Sequence, residues 1–334
     1  MNLFERIYGC LVGLALGDCL GMPTEFLDHE QIQREFGWVD RLQQAPEWHP
    51  HRKLQAGQMT DDTGQALAIA HAYKANGELT ADAVARELII WSEEAGEYLP
   101  LIIGPSTHHA LDLLVQGEKP ENTGKLGKTN GASYRAVIVG LVNYERPEKI
   151  IPDVVQACLP THGTSVAISG GAAVAMAVAE AMADDASLDS IFMAAKHGAV
   201  EGRRHGEWAW GTPLEGRIDL ALRIVGDSGS IETSLVDLAR YVGVDMLVAE
   251  SIATAFGLVA LAEGDVMKAT AYGANIGGDT DTIAAIAGAI CGAKQGVETI
   301  DGNLLSEVEK VNGLDLKTEA GRLVNIMQNM GEKI

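Results

Sequence analysis

The sequence predicts an all-α fold, a multi-helix bundle in a single domain over 1–334. Three observations predict it. Apolar residues recur at helical spacing along most of the chain. Small residues carry much of the composition, with 38 glycines and abundant alanine. Aromatics reach only 5% of a chain that is 47% hydrophobic, whereas a strand-rich fold would want more Val, Thr and aromatic side chains. With 334 residues the chain can bury a substantial core, and small side chains predict helices packed backbone to backbone.

The elements follow in order. Gly9, Gly13, Gly17 and Gly21 recur every four residues, which on a helix makes one smooth stripe inviting close approach by another helix. Glycine in a helix interior costs about 1 kcal/mol relative to alanine, so four of them imply a compensating contact or site. A helix over 63–76 starts at Thr60-Asp61-Asp62 and ends near Gly77. Another covers 81–94, capped by Thr80 or Asp82, and a third covers 106–116, closed by Gly117. The polar stretch 117–133 reads as a long loop of the functional kind. Helical segments continue over 137–144, 151–158, 166–182 and 188–197, interrupted at Asp184-Asp185. The stretch 202–216 reads as a loop or lid, whose Trp208 and Trp210 pack into the core or lid, or stack on a base. Helices resume over 218–225, 234–242, 250–263, 266–272, 282–293 and 320–330. Ala284, Gly288 and Gly292 make a second small-residue stripe on the penultimate one.

Composition excludes several functions. Lys and Arg number 25 against 46 Asp and Glu, a formal charge of −21 that repels nucleic acid phosphates. Anionic substrates are repelled too, unless a bound cation reverses the local sign. Cys10, Cys19, Cys158 and Cys291 form no CxxC pair, and three of them sit in apolar, helix-like runs, where buried thiols are the ordinary reading. The N-terminal stretch lacks a basic start and a clear cleavage site, and uninterrupted apolar runs of membrane-spanning length are missing. The expectation is a cytoplasmic protein with neither nucleic acid nor membrane as partner.

Two segments share an unusual chemistry. Met59-Thr60-Asp61-Asp62-Thr63-Gly64 and Gly277-Gly278-Asp279-Thr280-Asp281-Thr282 each combine hydroxyls with two acids ahead of an Ala-rich helix. Thr and Asp at helix starts are ordinary caps, and acids there are favoured by the helix dipole. A helix has only one N-cap, however, and the surplus acids repel one another. Hard oxygen ligands at this density suit Mg²⁺ or Mn²⁺ rather than a structural zinc ion.

Gly13 to Glu25, reading GLALGDCLGMPTE, resembles the opening motif of the ADP-ribosylglycohydrolase family. Thr60-Asp61-Asp62-Thr63 resembles its first metal motif, and 275–289, reading NIGGDTDTIAAIAGA, its second. The three occur in the family's order and span nearly the whole chain. The resemblance implies an orthogonal bundle of helices around a dinuclear Mg²⁺ or Mn²⁺ site, with Thr60, Asp61, Asp62, Asp279, Asp281 and Thr282 as ligands. It implies catalytic roles for Glu25, Asp62 and Asp279, Glu25 serving as ligand, gate or acid/base group, and a supporting hydrogen-bond role for Asp18. The stretch 128–135, reading KTNGASYR, is similar to the family's glycine-rich substrate loop, and Pro160-Thr161-His162 to its Thr-His motif. Asn130, Gly131 and His162 are thereby implied as substrate-binding residues, against plain readings as a flexible turn and a helix-flanking histidine.

The chain also departs from the family. Where many ADP-ribosyl-arginine hydrolases carry an acid, this one has Leu101-Ile102-Ile103-Gly104-Pro105, and Tyr134 replaces the loop's usual Met. The implied activity is hydrolysis of a glycosidic bond to an ADP-ribosyl group, on a protein or on a small ADP-ribose-containing molecule. The alternatives are a related hydrolase of a nucleoside, nucleotide sugar or O-acetyl-ADP-ribose, and a non-catalytic ADP-ribose binder. A Rossmann-type enzyme is disfavoured, since the glycine-rich motifs follow no predicted strand.

Overall fold

The structure, a computed structural model, describes residues 1–331. About 70% of the chain is helical. Among the described residues, extended backbone pairs only in an isolated parallel bridge between Thr164 and Glu207. The all-α expectation holds.

The chain forms two compact units, each built from two separate stretches: Met1–Thr63 with Pro213–Leu316, and Gly64–Thr212 with the chain from Lys317 onward. In the first unit the Leu3–Gly21 helix, opened by an Asn2/Glu5 capping box, lies against the Thr280–Gln295 helix. Val266–Ile276 and Val248–Leu261 pack around this pair. The two small-residue stripes read from the sequence meet here. A Cβ placed on Gly13 would lie 2.1 Å from the Gly288 carbonyl oxygen, and one on Gly17 would lie 2.2 Å from that of Ala284. On Gly21 it would lie 2.5 Å from the Asp281 Cα. The helices therefore touch through backbone, and the stripe ends on the acid of the second motif. By length and composition Leu3–Thr24 could cross a membrane, but 94% of its apolar window is buried inside the fold.

In the second unit Ser165–Ala181 is the central helix, packed by Leu188–Gly202, Ala136–Val142 and Pro147–His162. Thr80, not Asp82, caps Ala81–Ala95, its side chain accepting from the Ala83 N–H. All four cysteines, Cys10, Cys19, Cys158 and Cys291, are buried free thiols.

Several boundaries move for identifiable reasons. The segment read as 151–158 is a helix from Pro147 to His162 that carries Pro152 and Pro160 inside it. Proline removes a donor and normally marks a boundary, which shortens the sequence reading. Within 117–133, short turns at Pro120–Thr123 and Asn130–Ala132 interrupt the loop. The 234–242 segment is an Ile231–Asp237 helix that widens into a π-helical turn, Leu238–Val242. Three helices lie outside the segments expected from the apolar pattern: His29–Phe36, opened by an Asp28/Gln31 capping box, the short Leu99–Ile102, and Gly302–Asn312. Trp208 and Trp210 are 76% and 81% exposed, so they do not pack into the core. Ala209 takes the buried position between them, its N–H donating to Ser165 Oγ.

The packing yields a stability contrast. Gly17→Ala should destabilise by roughly 1–3 kcal/mol, because the new methyl meets backbone that cannot turn aside. Gly321→Ala, inside a helix with open space at its Cβ position, should be neutral or stabilise by up to about 1 kcal/mol. Urea denaturation of both variants decides it; equal effects would contradict backbone-level packing.

Candidate metal centre

The site lies in the first unit, where two helix starts and one helix end converge. The second motif arrives through a tight bend. Gly277 and Gly278 have φ of 93° and 74°, a region only glycine enters without strain. The bend is pinned on two sides. Phe26 N–H donates to the Gly278 carbonyl and Gly278 N–H to that of Leu27, both at 2.8 Å. Asp279 N–H donates to the Val244 carbonyl, also at 2.8 Å. Asp279 occupies the N-cap position of Thr280–Gln295, yet its side chain makes no capping hydrogen bond. The plain capping reading of this acid therefore fails.

The first motif is capped from outside. Asp18, at the end of the Leu3–Gly21 helix, accepts from the backbone N–H of Thr60 at 2.8 Å and of Thr63 at 3.0 Å. It also accepts from Thr63 Oγ1 at 2.6 Å. Asp18 thus does the work that a first-turn acid of the Asp61–Ala72 helix would otherwise do. Thr60 Oγ1 lies 2.9 Å from Asp18 Oδ1 and 3.1 Å from Asp62 Oδ2, and its single proton serves one of them. Thr282 Oγ1 reaches Asp62 Oδ2 at 3.3 Å, joining the two motifs directly.

All six implied metal ligands and Glu25 are buried in this unit. Glu25, Asp279 and Asp281 each bring one carboxylate oxygen to within 4.8 Å of the others. Burial holds the carboxyls of Glu25 and Asp62 well above the ordinary range. The charges of Asp281, Asp279 and Asp61 add to both, and that of Asp18 also raises Asp62. Asp281 is raised chiefly by burial. Asp18 is pushed to about 6 by burial, its hydrogen bond from Thr63 opposing the shift. Asp62 Oδ1 is buried with no hydrogen-bond partner, an arrangement normally costing about 1–3 kcal/mol. An oxygen-only donor set, crowded like charges and an orphaned carboxylate oxygen together fit a hard divalent cation.

Glu25 is gripped by residues the sequence reading passed over. His51 Nε2 lies 3.3 Å from Glu25 Oε2, and His49 Nε2 lies 2.7 Å from the Glu25 carbonyl oxygen. Both imidazoles are buried. Phe26 follows with φ of 67°, strained for a non-glycine residue, and its ring is stacked on His49. The His-x-His pattern just ahead of the first acidic motif was the available signal.

The implied substrate residues belong to the second unit. Asn130, Gly131 and His162 are buried there, and Asn130–Ala132 forms one 3-10 turn. His162 lies under that turn: a Cβ on Gly131 would meet His162 Cε1 at 2.8 Å. Arg135, fully buried, donates to the Gly131 carbonyl at 2.9 Å, to Thr161 Oγ1, and to His162 Nδ1 at 3.0 Å. With Nδ1 accepting, His162 Nε2 carries the proton toward Thr129 Oγ1 at 2.9 Å. Burial, and then the Arg135 charge, hold its pKa well below the usual value, so the ring is neutral. In this unit His162 and Arg135 shape the loop from beneath.

Comparison with known proteins makes the chain a glycosidase-type hydrolase. The ADP-ribosylglycohydrolase family profile matches residues 1–333, and the chain belongs to that family. It is 33% identical over 330 residues to the uncharacterized protein YegU of Escherichia coli, covering 97% of this chain and 98% of that one. It is 26% identical to the ADP-ribosylhydrolase ARH3 of Xenopus tropicalis over 89% of each chain. To the ADP-ribosyl-[dinitrogen reductase] glycohydrolase of Rhodospirillum rubrum it is 27% identical over 48% of this chain and 52% of that one. A solved ADP-ribosylglycohydrolase-related protein complex shares the fold, with a TM-score of 0.69 at 23% identity over 98% of this chain and 99% of that one.

The electrostatics predict a linkage between protons and cations. A carboxyl whose folded pKa exceeds its unfolded value binds more protons folded than unfolded. Its destabilising effect is complete above the folded pKa and disappears as pH falls to the unfolded value. For Asp18 that window runs from about 6 down to 3.8, and Glu25 and Asp62 shift in the same direction. The rise in Tm on saturating with Mn²⁺ should therefore shrink as pH is lowered from about 7 to about 5, since protons and cation relieve the same repulsion. A pH-independent Mn²⁺ effect in scanning calorimetry would count against the cluster as the cation site.

Proposed function

We propose that this chain hydrolyses the glycosidic bond between an ADP-ribosyl group and its acceptor, with two divalent cations, Mg²⁺ or Mn²⁺, held by Thr60, Asp61, Asp62, Asp279, Asp281 and Thr282. One observation carries the reading: two acidic motifs distant in sequence share one buried cluster, through Thr282 Oγ1 on Asp62 and through Asp279 and Asp281 beside Glu25. Cations bound there would neutralise the cluster, orient vicinal ribose hydroxyls and acidify a neighbouring water. Asp18 fixes the first motif by accepting from its backbone and hydroxyls. Glu25 is the group that takes or gives a proton as the bond to the anomeric carbon breaks. Asp62 and Asp279 complete the catalytic set as ligands that would fix where the cations present the ribose hydroxyls and the water to the anomeric carbon.

Asn130, Gly131 and His162 are the proposed substrate-binding residues on the strength of the family resemblance, with His162 working through the loop it supports. The names of the relatives, which include hydrolases of ADP-ribosylated dinitrogen reductase and of ADP-ribosylarginine, support an ADP-ribosyl substrate. A second reading, a small ADP-ribose-containing molecule or nucleoside as substrate, is favoured by Ile102. That residue ends the short Leu99–Ile102 helix with an apolar side chain where part of the family has an acid. A cytoplasmic location belongs to the same proposal and agrees with the four buried free thiols.

The test is a substrate panel of ADP-ribosyl-arginine, ADP-ribosyl-serine, O-acetyl-ADP-ribose and simple nucleosides, each with Mg²⁺, Mn²⁺ or EDTA. Turnover of at least one ADP-ribosyl compound, abolished by EDTA and restored by metal, is expected; full activity in EDTA sinks the reading. Preference for the small molecules over the amino-acid conjugates selects the second reading. Asp279→Asn should lower bound Mn²⁺ by elemental analysis with helical circular dichroism retained. Unchanged metal content would remove Asp279 from the ligand set.

A further inference from the structure

Glu25 sits on a short link, the Met22–Thr24 turn that follows the Leu3–Gly21 helix, and its backbone is fixed on both sides. Upstream, Thr24 Oγ1 lies 2.8 Å from the Ala274 carbonyl oxygen and 2.9 Å from that of Gly21. Downstream, Phe26 N–H is bonded to the Gly278 carbonyl. Backbone fixation alone leaves a glutamate its side-chain rotamers. We propose that His51 is the positioning residue for Glu25, holding carboxylate oxygen Oε2 so that Glu25 meets Asp279 and Asp281 in one orientation. The proposal rests on the reading above, in which Glu25 serves the hydrolysis.

The hydrogen-bond pattern assigns three of the four ring nitrogens. His51 Nδ1 lies 3.1 Å from the Met22 carbonyl oxygen, which only accepts, so Nδ1 carries a hydrogen. His51 Nε2 faces Glu25 Oε2 at 3.3 Å, and that contact bonds only with a proton on its axis, whichever atom carries it. His49 is set in turn. Its Nδ1 accepts from the His51 backbone N–H at 3.1 Å, so its Nε2 is the donor to the Glu25 carbonyl at 2.7 Å. The two rings stand 5.3 Å apart at 67°, both buried. One histidine holds the Glu25 backbone and the other its carboxylate. His51 acts through Glu25, and that is why it is a positioning residue rather than a catalytic one.

Three full-length variants test this, each loaded with Mn²⁺: His51→Gln, His51→Asn and His51→Ala. The Gln amide nitrogen reproduces Nε2 and can still hold Glu25. The Asn amide reproduces Nδ1, satisfies Met22 and leaves Glu25 unheld. On the best wild-type substrate of the panel, the Asn and Ala variants should lose roughly 10–100-fold in kcat with KM within about two-fold, while Gln stays within about three-fold of wild type. The Mn²⁺ dissociation constant, read from free Mn²⁺ by electron paramagnetic resonance, should weaken about ten-fold in Asn and Ala but not in Gln. Equal losses in Gln and Asn, or wild-type behaviour in Asn, overturn the proposal, because the ring would then only fill space. If the Ala variant does not fold, the Gln and Asn pair decides. If wild-type protein turns over none of the panel, the functional reading fails by itself, and the Mn²⁺ comparison still decides the role of His51.

Discussion

Two helices touching through bare backbone set the geometry on which the site depends. Along Leu3–Gly21 and Thr280–Gln295 no side chain separates the chains at Gly13 against Gly288, or at Gly17 against Ala284. The approach continues to Gly21, whose position admits the Asp281 backbone. The pairing therefore places the end of one helix beside the start of the other. From there Asp18 reaches the Thr60–Thr63 backbone, and Thr280 Oγ1 reaches the Gly21 carbonyl at 2.9 Å. Each glycine disfavours its helix by about 1 kcal/mol, and the contact it allows offsets that cost while bringing polar groups together at one end. A bulkier seam would move Asp281 away from Glu25 and break the cluster rather than merely loosen the core.

That cluster works against the fold in the absence of a counter-charge. Glu25, Asp62 and Asp281 are removed from water, and each is held above its ordinary pKa by burial first. A protein optimised for stability alone would not bury carboxylates side by side with Asp62 Oδ1 unsatisfied. Violations of this kind concentrate at functional sites, where the missing partner is supplied on binding. The surrounding bonds prepare for that partner. Asp18 does the capping, the Gly277-Gly278 bend is pinned to Leu27 and Val244, and two histidines hold Glu25. In a protein of charge −21, local cations would also let an anionic nucleotide approach.

Much of this was legible in the sequence. The two small-residue stripes were visible separately, and so were the paired acidic motifs, because helical spacing and crowded like charges are local patterns. Their meeting is a tertiary fact. The sequence cannot reveal that Asp18 caps a helix 42 residues away, and only that removes the plain capping reading of the first motif. The helix ends at Asp279 and His162 moved for the same reason. Local rules mark caps and prolines, while packing carries the Pro147–His162 helix through two prolines and leaves Asp279 without a capping bond. His49 and His51 show in the sequence only as a His-x-His pair in a loop, and their meaning lies in the Met22 and Glu25 oxygens they face.

Crystals of the protein grown with Mn²⁺ and measured at the manganese absorption edge give the most direct test of a divalent pair trapped between two converging helix ends. Two anomalous peaks are expected among the carboxylates of Asp61, Asp62, Asp279 and Asp281, one within coordination distance of Asp62 Oδ1. Well-ordered density for these side chains with no peak between them, or manganese bound only elsewhere, would contradict the account.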